Sequence, residues 1–390
     1  MRPPKRSWFP SLLAAPLLAA ALPVAAGSFG DPIAGQRLFV EKGCVRCHAV
    51  RGAGGRLGPD LGRKMRPSSY YEIASTMWNQ SPAMAGKMDE YHMARPVFEG
   101  QELSDLISFL YFLNYFDEPG DPEAGRLMFR EKGCSSCHEV GGEGGGAGPP
   151  LDTIPRGTSP LRIASSLWNH GPAMISAIED LGMAVPTFEE TEILDLFAYI
   201  RSAGQRHSVR RFQSSGDPER GEELFDAKGC AACHGIFAAD PDLLGPDLGR
   251  MELRGSVTQI AGRMWNHWPE MARSMEEVGM SVPEFGEDEL LDLFAYIYTA
   301  RYQGEAGDPE DGRALFAAKG CAVCHGADGG GGLGPPLRDR LPGSTPEAVL
   351  QAMWNHAPGM SAVLADQNLS WGRLDAAELA DLLAFLSAGW

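Results

Sequence analysis

The stretch Gly43-Cys44-Val45-Arg46-Cys47-His48 sets the pattern for the whole chain, because its C-x-x-C-H core occurs four times. All eight cysteines belong to these four pentapeptides, and the first cysteines of successive copies lie 90, 96 and 91 positions apart. Such a placement of every cysteine predicts one chemical site that is repeated four times. The other copies are Cys134-Ser135-Ser136-Cys137-His138, Cys230-Ala231-Ala232-Cys233-His234 and Cys321-Ala322-Val323-Cys324-His325.

The pentapeptide has the spacing of a covalent haem site. Two thiols three positions apart on a tight turn suit thioether bonds to the two vinyl groups of one haem, and the adjacent histidine then faces the iron. A thioredoxin-like C-x-x-C needs no histidine, and a zinc site requires two cysteine pairs close together. The sequence therefore predicts four covalently bound c-type haems. The predicted histidine ligands of the iron are His48, His138, His234 and His325.

Residues 1–27 predict a secretory signal peptide. Arg2, Lys5 and Arg6 give it a basic start, which an apolar run over 11–26 and a small-residue end follow. The run is shorter than the roughly 20 residues of a membrane-spanning helix. We therefore expect export to the periplasm, with an uncleaved membrane anchor as the alternative.

The chain is strongly acidic, with 34 Lys and Arg against 51 Asp and Glu. Residues 1–27 hold three of the basic residues and none of the acidic ones, so the remainder carries 31 minus 51, or −20. Such a surface repels nucleic acid and favours basic docking surfaces on redox partners, a donor and an acceptor. The alternative explanation is that the charge serves solubility alone.

Each pentapeptide follows a short predicted helix. An aspartate suits the N-cap of this helix, the proline after it suits the first turn, and a glycine before the first cysteine suits the C-terminus. In every copy 13 positions separate the aspartate from the first cysteine. The aspartates are Asp31, Asp121, Asp217 and Asp308.

A methionine occupies a fixed position after each pentapeptide. A glycine-rich loop of variable length ends at a Gly-Pro pair, and the methionine lies 25 positions beyond the proline in all four copies. Another 18 positions lead to a glutamate that begins the last segment of the copy, for example ELSDLISFL from Glu102. The apolar residues of this segment have helical spacing. The prolines are Pro59, Pro149, Pro246 and Pro335.

These segments predict an all-α fold of four tandem domains. We assign domains 1 to 4 to residues 28–116, 117–204, 217–303 and 304–390, with a linker over 205–216. A domain of about 90 residues buries a marginal apolar core, which a covalently held haem supplements. We therefore expect the chain without haem to be largely unfolded. The basic linker suggests a division into two pairs, domains 1 with 2 and 3 with 4.

Three sets of residues compete for the sixth coordination position of the iron. The repeated methionine is present in all four copies, as Met84, Met174, Met271 and Met360. A histidine four positions earlier occurs in three copies, as His170, His267 and His356, and a later methionine occurs in three, as Met93, Met183 and Met280. Because only the first set is complete, we predict His/Met ligation through it, with core filling as the alternative role. The proline two residues before each of these methionines is expected to interrupt the helix and expose a loop.

A Trp-Asn pair lies before each of these methionines. We expect the tryptophans to pack against the haem or the core, and the asparagines to cap the interrupted helix or bind a haem propionate. The histidine that follows in three copies is expected to form hydrogen bonds beside the haem. The pairs are Trp78-Asn79, Trp168-Asn169, Trp265-Asn266 and Trp354-Asn355.

Each of the four units resembles the class I c-type cytochromes from its Asp-Pro helix to its last helix. The resemblance implies a small all-α domain in which the first and last helices cross beside the haem. Gly35 would lie at this crossing, facing Phe109, and Pro59 would offer its carbonyl to the proximal histidine. One departure is that the family usually has proline directly after its ligand methionine. The other crossing pairs would be Gly125 with Tyr199, Gly221 with Tyr296 and Gly312 with Phe385.

Together with the predicted signal peptide, the resemblance implies an exported tetrahaem cytochrome that transfers electrons between redox partners and is not itself an enzyme. An iron with six ligands offers no vacant site to a substrate, and methionine ligation raises the potential relative to two histidines. Two alternatives remain: a cytochrome subunit of a membrane-associated dehydrogenase or oxidase complex, and a peroxidase-like haem enzyme with one open haem.

Overall fold

The computed structural model describes residues 30–64, 69–113, 115–204, 216–238, 240, 242–251, 253, 255–286 and 288–390. The predicted signal peptide and nearly all of the predicted linker lie outside these residues. Within them the chain forms fifteen α-helices and only two small hairpins, which confirms the predicted all-α class. None of the helices among the described residues is both long and apolar enough to cross a membrane.

Domain 1 has the opening, middle and closing helices that the other three domains repeat, and its hairpin recurs among the described residues in domain 2 alone. An opening helix leads through the cysteine turn to a hairpin, and a middle helix and a closing helix follow. The two strands of the hairpin pair antiparallel. The elements are α1 (Pro32–Glu41), β1 (Ala49–Val50), β2 (Ala53–Gly54), α2 (Leu61–Lys64), α3 (Tyr70–Glu90) and α4 (Glu102–Phe112).

The other domains keep this order with small changes. Domain 2 consists of α5 (Pro122–Glu131), β3 (Glu139–Val140), β4 (Glu143–Gly144), α6 (Pro160–Asp180) and α7 (Glu192–Ala203). Domain 3 consists of α8 (Pro218–Ala227), α9 (Val257–Asn266), α10 (Trp268–Glu277) and α11 (Glu289–Gln303). Domain 4 consists of α12 (Pro309–Ala318), α13 (Cys321–His325), α14 (Pro346–Asp366) and α15 (Ala376–Ala388).

The opening helices begin and end as the sequence predicts. In α1 the carboxylate of Asp31 accepts hydrogen bonds from the backbone N–H groups of Ile33 at 2.8 Å and Ala34 at 3.2 Å. Gly43 follows the helix with a φ of +81°, a conformation that glycine adopts without steric cost. The backbone N–H of Asp31 in turn donates to the carboxylate of Asp105 on the closing helix at 2.7 Å. The same cap therefore begins the helix and attaches it to α4.

The opening and closing helices cross at a glycine, as the resemblance implies. A Cβ placed on Gly35 would lie 1.9 Å from the carbonyl oxygen of Asp105 and 2.7 Å from Cβ of Phe109, so no side chain fits there. One turn along α1, Phe39 packs its ring 5.7 Å from that of Phe109. The same glycine–aromatic contacts occur in the other domains, at Gly125 with Tyr199, Gly221 with Tyr296 and Gly312 with Phe385.

The middle helices differ from the sequence prediction. The expected interruption at the proline is wrong in three domains, because α3, α6 and α14 continue through Pro82, Pro172 and Pro358. In domain 3 the helix does divide, between α9 and α10 at His267. All four candidate methionines therefore lie on a helix and not in the expected loop, Met271 on α10.

Proline within a helix leaves the carbonyl four residues earlier without its usual N–H donor. In α3 that carbonyl belongs to Trp78, and it accepts a hydrogen bond from Nε1 of Trp371 in domain 4 at 3.2 Å. Pro82 thus frees a backbone acceptor for a contact between two domains, which explains how the helix tolerates it.

The domains pair differently from the expected grouping of 1 with 2 and 3 with 4. The middle helix α3 of domain 1 packs against α14 and α15 of domain 4, and α6 of domain 2 packs against α9 of domain 3. The pairs are therefore 1 with 4 and 2 with 3. Helix α11 of domain 3 also contacts α3, which joins the two pairs.

Candidate haem sites

Each pentapeptide histidine is held by the proline carbonyl that the resemblance implies. Nδ1 of His48 donates to the carbonyl oxygen of Pro59 at 3.0 Å. Because a carbonyl oxygen only accepts, Nδ1 carries the proton, and Nε2 keeps a lone pair for a metal. The other distances are 2.9 Å from His138 to Pro149, 3.0 Å from His234 to Pro246 and 3.0 Å from His325 to Pro335.

The glycine before each of these prolines gives the imidazole its place. A Cβ on Gly58 would lie 2.4 Å from Cε1 of His48, so any side chain there would displace the ring. The Gly-Pro pair therefore has two roles, since the glycine admits the ring and the proline carbonyl orients it. The equivalent glycines are Gly148, Gly245 and Gly334.

The cysteines form a short turn before the histidine. The backbone N–H of His48 donates to the carbonyl of Cys44 at 2.9 Å, which closes the turn that carries both cysteines. All eight thiols are half-buried and none forms a disulfide. Burial raises the pKa of the first thiol of each pair, to about 11 for Cys44, Cys134 and Cys230. The same cysteines pack against the hydrophobic core, as does Cys321 in domain 4.

Domain 4 encloses a mostly apolar cavity of about 300 Å³ beside its pentapeptide. Its lining includes Cys321, Cys324 and His325, together with Met360 and His356 from α14. Two thiols and an imidazole with a free Nε2 on the wall of an apolar cavity match the needs of a covalent haem. The residues of this site therefore fit the group that the pentapeptide predicts.

The structure places the candidate sixth ligands in different surroundings. Met360 lines the cavity of domain 4 with His325, and its counterparts Met84, Met174 and Met271 are half-buried against the core. The later methionines approach the cysteine turn instead: a Cβ on Gly133 would lie 2.7 Å from Cε of Met183. A Cβ on Gly43 would likewise lie 3.7 Å from Cε of Met93, and a Cβ on Gly229 would lie 2.6 Å from Cε of Met280.

The candidate histidines do not share one environment. Nδ1 of His170 donates to the carbonyl of Ser166 in its own helix at 2.7 Å, and Nδ1 of His267 lies 3.7 Å from the Glu270 carboxylate. Only the ring of His356 lies beside a pentapeptide histidine, with its centroid 6.5 Å from that of His325. The expected role beside the haem thus has geometric support in domain 4 alone.

The Trp-Asn pairs form contacts between domains. All four tryptophans are buried, as expected for core residues. Nε1 of Trp78 donates to the carbonyl of Gly372 at 2.8 Å, and Nδ2 of Asn79 donates to the carbonyl of Leu374 at 2.7 Å, both in domain 4. The asparagine thus binds the backbone of another domain within a continuous helix, so the expectation of a helix cap is wrong in domain 1, whereas the contact with a propionate stays a prediction.

A repeated lysine is a residue that the sequence reasoning missed. Nζ of Lys42 lies 2.6 Å from the Glu102 carboxylate and donates to the carbonyl of Val97 at 2.8 Å. It therefore joins the end of the opening helix to the start of the closing helix, directly beside the cysteine turn. The available signal was the tripeptide Lys-Gly-Cys, which all four copies contain. The other pairs are Lys132 with Glu192, Lys228 with Glu289 and Lys319 with Glu378.

A sequence model of the cytochrome c family matches the chain four times, over residues 33–113, 122–204, 218–301 and 309–390. Because these matches cover most of the chain, the protein belongs to the cytochrome c family, and its resemblance to a four-domain class I cytochrome is confirmed. Domains of this family bind haem c covalently, so the chain is a multihaem electron-transfer cytochrome. Comparisons with curated proteins and with solved structures found no match.

Proposed function

We propose that this protein is an exported, periplasmic tetrahaem cytochrome that carries electrons between a donor and an acceptor protein through four His/Met-ligated haems. A haem in this setting supplies one-electron chemistry at its iron. The observation that carries the proposal is the fourfold repetition of one site, an imidazole oriented by a proline carbonyl beside two thiols. Four equivalent sites suit carriage better than catalysis at a single specialised centre.

The chain's own residues prepare each site for this role. The proline carbonyl fixes the imidazole in one tautomer, so that Nε2 would be available to the iron without rotation of the ring. In domain 4 the mostly apolar wall of the cavity limits contact with water, and such a wall with a thioether ligand would favour the reduced, less charged iron. No proton has to move at a protein group for an electron to pass.

We assign the sixth ligand to Met84, Met174, Met271 and Met360. The assignment is supported by the presence of this methionine in every domain and by the position of Met360 in the cavity that contains His325. The later methionine is absent from domain 4, where Leu369 stands instead and is exposed.

The acidic composition supports partners with basic docking surfaces. Such a partner would associate faster at low salt than at high salt, because salt screens the attraction between exposed charges. A dependence of the electron-transfer rate on ionic strength would measure this attraction, and a rate that stays constant as salt rises would oppose it.

A spectral redox titration of the full chain tests the proposal. We expect four haems that take up one electron each, all with the absorption band of methionine ligation, and none that binds carbon monoxide rapidly. In Met174→Ala one of the four methionine signals should be lost and one potential should fall. Met183→Ala is the matched variant in the same domain, and loss of the signal there instead would overturn the ligand assignment. Rapid carbon monoxide binding by the unaltered protein would favour a haem enzyme.

A further inference from the structure

Domains 1 and 4 exchange the same hydrogen bonds in both directions. From domain 1, Asn79 donates to the carbonyl of Leu374 at 2.7 Å and accepts from the N–H of the same residue at 3.0 Å. From domain 4, Asn355 donates to the carbonyl of Phe98 at 2.8 Å and accepts from its N–H at 3.0 Å. Each domain thus forms the same pair of hydrogen bonds to the other. Such an exchange of equal roles gives the interface between the two domains two-fold pseudosymmetry.

Domains 2 and 3 repeat this contact with the equivalent residues. Asn169 forms both hydrogen bonds with the backbone of Phe285, and Asn266 forms both with the backbone of Phe188, all at 2.8 Å. The indole N–H groups also bind the partner domain: that of Trp168 donates to the carbonyl of Pro283, and that of Trp265 donates to the carbonyl of Pro186. The Trp-Asn dipeptide is thus the pairing element in both halves of the molecule.

The contact reaches the haem site of the partner domain. Trp78 belongs to domain 1, yet it lines the cavity of domain 4 together with Cys321 and His325. Its ring lies 4.4 Å from that of Trp371, another residue of the cavity wall, and its N–H is bonded to Gly372 on the same wall. The site in domain 4 is therefore incomplete without a side chain from domain 1.

An aromatic cluster joins the two pairs. The hydroxyl of Tyr111 in domain 1 donates to the carbonyl of Tyr298 in domain 3 at 3.0 Å. The ring of Tyr115 lies 4.9 Å from that of Tyr298, and the ring of Tyr70 lies 5.8 Å from that of Tyr302. The line of contacts through the molecule therefore passes from domain 4 to 1, then to 3, and then to 2.

We propose that the Trp-Asn dipeptides couple the four haem sites into two pairs, 1 with 4 and 2 with 3, in which each tryptophan completes the wall of the partner domain's site. Electron exchange between neighbouring sites then follows the order 4–1–3–2 and not the order of the sequence. This order of electron exchange rests on the proposed function as an electron carrier. The completion of one domain's cavity wall by a tryptophan of its partner, here called the shared wall, does not depend on that function.

Hydrogen exchange of the full haem-loaded chain tests the pairing itself. Asn79→Ala removes both hydrogen bonds to Leu374, so we expect exchange of the Leu374 amide to become at least several-fold faster. The matched control is Gln80→Ala, an exposed neighbour on the same helix, which should leave that amide unchanged. Faster amide exchange confined to domain 1, or faster exchange in domain 2 instead of at Leu374, would overturn the pairing of domains 1 and 4.

A spectral redox titration tests the shared wall. Trp78→Phe keeps an aromatic ring but removes the N–H, and we expect it to shift the midpoint potential of domain 4. That component is identified as the one that Met360→Ala shifts, since Met360 lines the domain 4 cavity whether or not it is the ligand. The control is Trp390→Phe, also in domain 4. The buried Nε1 of Trp390 has no hydrogen-bond partner within the described residues, so its loss should shift the midpoint potential of domain 4 less. A shift in the domain 1 potential alone would contradict the shared wall.

The two readouts separate this proposal from the proposed function. If the haems fail to cycle reversibly while Asn79→Ala still accelerates exchange at Leu374, electron carriage fails and the pairing stands. If the haems cycle as four one-electron carriers and exchange at Leu374 is unaffected, the pairing fails alone.

Discussion

The glycine at each helix crossing lets the opening and closing helices approach closely, and the geometry of a domain depends on it. In domain 2 a Cβ on Gly125 would lie 1.9 Å from the carbonyl oxygen of Asp195, a backbone atom that cannot move without displacing α7. The amide of Asp121 donates to the Asp195 carboxylate at 2.7 Å, so the same displacement would also disturb the helix start.

We therefore expect Gly125→Ala to destabilise domain 2 by about 3 kcal/mol or more, at or above the upper end of the usual range for overpacking. The measurement is thermal unfolding of the haem-loaded chain followed by circular dichroism, with the transition of domain 2 at a lower temperature. Gly146→Ala is the control, because a Cβ there meets no atom within 4 Å. Equal melting curves for the two variants would show that the helices separate at little cost.

At the residue scale the sequence predicted the attachment turn and its support well, because both depend on local chemistry. The cap of Asp31, the glycine after the helix and the Pro59 carbonyl all act within a few residues of the turn or follow from the family resemblance. The repeated lysine was missed since its partners, Val97 and Glu102, are distant in sequence. A charged residue beside a haem turn does not indicate by itself where its partner lies.

At the scale of elements, the Lys–Glu pairs join the opening and closing helices and should make stability depend on pH. In Glu289 the hydrogen bond from Lys228 lowers the pKa of the carboxyl below its ordinary 4.5, and in Glu378 Lys319 has the same effect. A carboxylate whose pKa is lowered by folding stabilises the protein above its ordinary pKa, and loses that contribution as the pH falls through the folded value.

We expect Lys228→Gln to lower the melting temperature of domain 3 by a few degrees at pH 7 and to reduce the loss of stability between pH 7 and pH 3. The comparison is a series of thermal melts across that range. Lys87→Gln is the matched control, since the Lys87–Glu90 pair is exposed and lies within one helix, where such pairs contribute little. A control that lost as much stability as Lys228→Gln would assign the effect to net charge.

The middle helices show why an element can be predicted while its continuity is not. Proline ordinarily ends a helix, so an interrupted helix before Met84 was the simplest prediction. The helix continues because the carbonyl that Pro82 leaves free is satisfied by Trp371 of another domain. In domain 4, Pro358 frees the carbonyl of Trp354. The guanidinium of Arg95, from domain 1, lies 3.5 Å from that carbonyl. The sequence of one repeat alone cannot predict a hydrogen-bond donor that comes from another domain.

At the scale of the whole molecule, the haem should be part of each domain's core. The cavity of domain 4 extends among residues from the opening, middle and closing helices, including Phe316, Met353 and Leu382, so without its occupant these helices lose a shared neighbour. A domain of about 90 residues has little apolar area to spare for such a loss.

We therefore expect the chain produced without haem attachment to be largely unfolded. Far-ultraviolet circular dichroism of that chain should show a small fraction of the helical signal of the haem-loaded protein. The same chain with its haems attached serves as the reference, and a native-like helical spectrum without haem would show that the apolar core suffices.

The number of domains could be predicted from the sequence, but their partners could not. The Trp-Asn dipeptide is identical in all four copies, so it carries no information on which copy meets which. Partner choice depends on residues that differ between the copies, such as the ion pair of Arg162 with Asp288 at 3.0 Å between domains 2 and 3. Between domains 1 and 4, the guanidinium of Arg95 lies 4.0 Å from the centroid of a Trp354 ring instead.

The pairing of the first domain with the last has a consequence for how the protein is made. A chain exported as we propose enters the periplasm from its amino-terminal end, so domains 2 and 3 are both available while domain 4 is still missing. During that interval Trp78 and Phe98 of domain 1 have no counterpart. A chain that stops before residue 304 would keep this surface exposed, and we expect two such chains to associate through it. The contact between domains 1 and 4 therefore forms only after domain 4 has emerged.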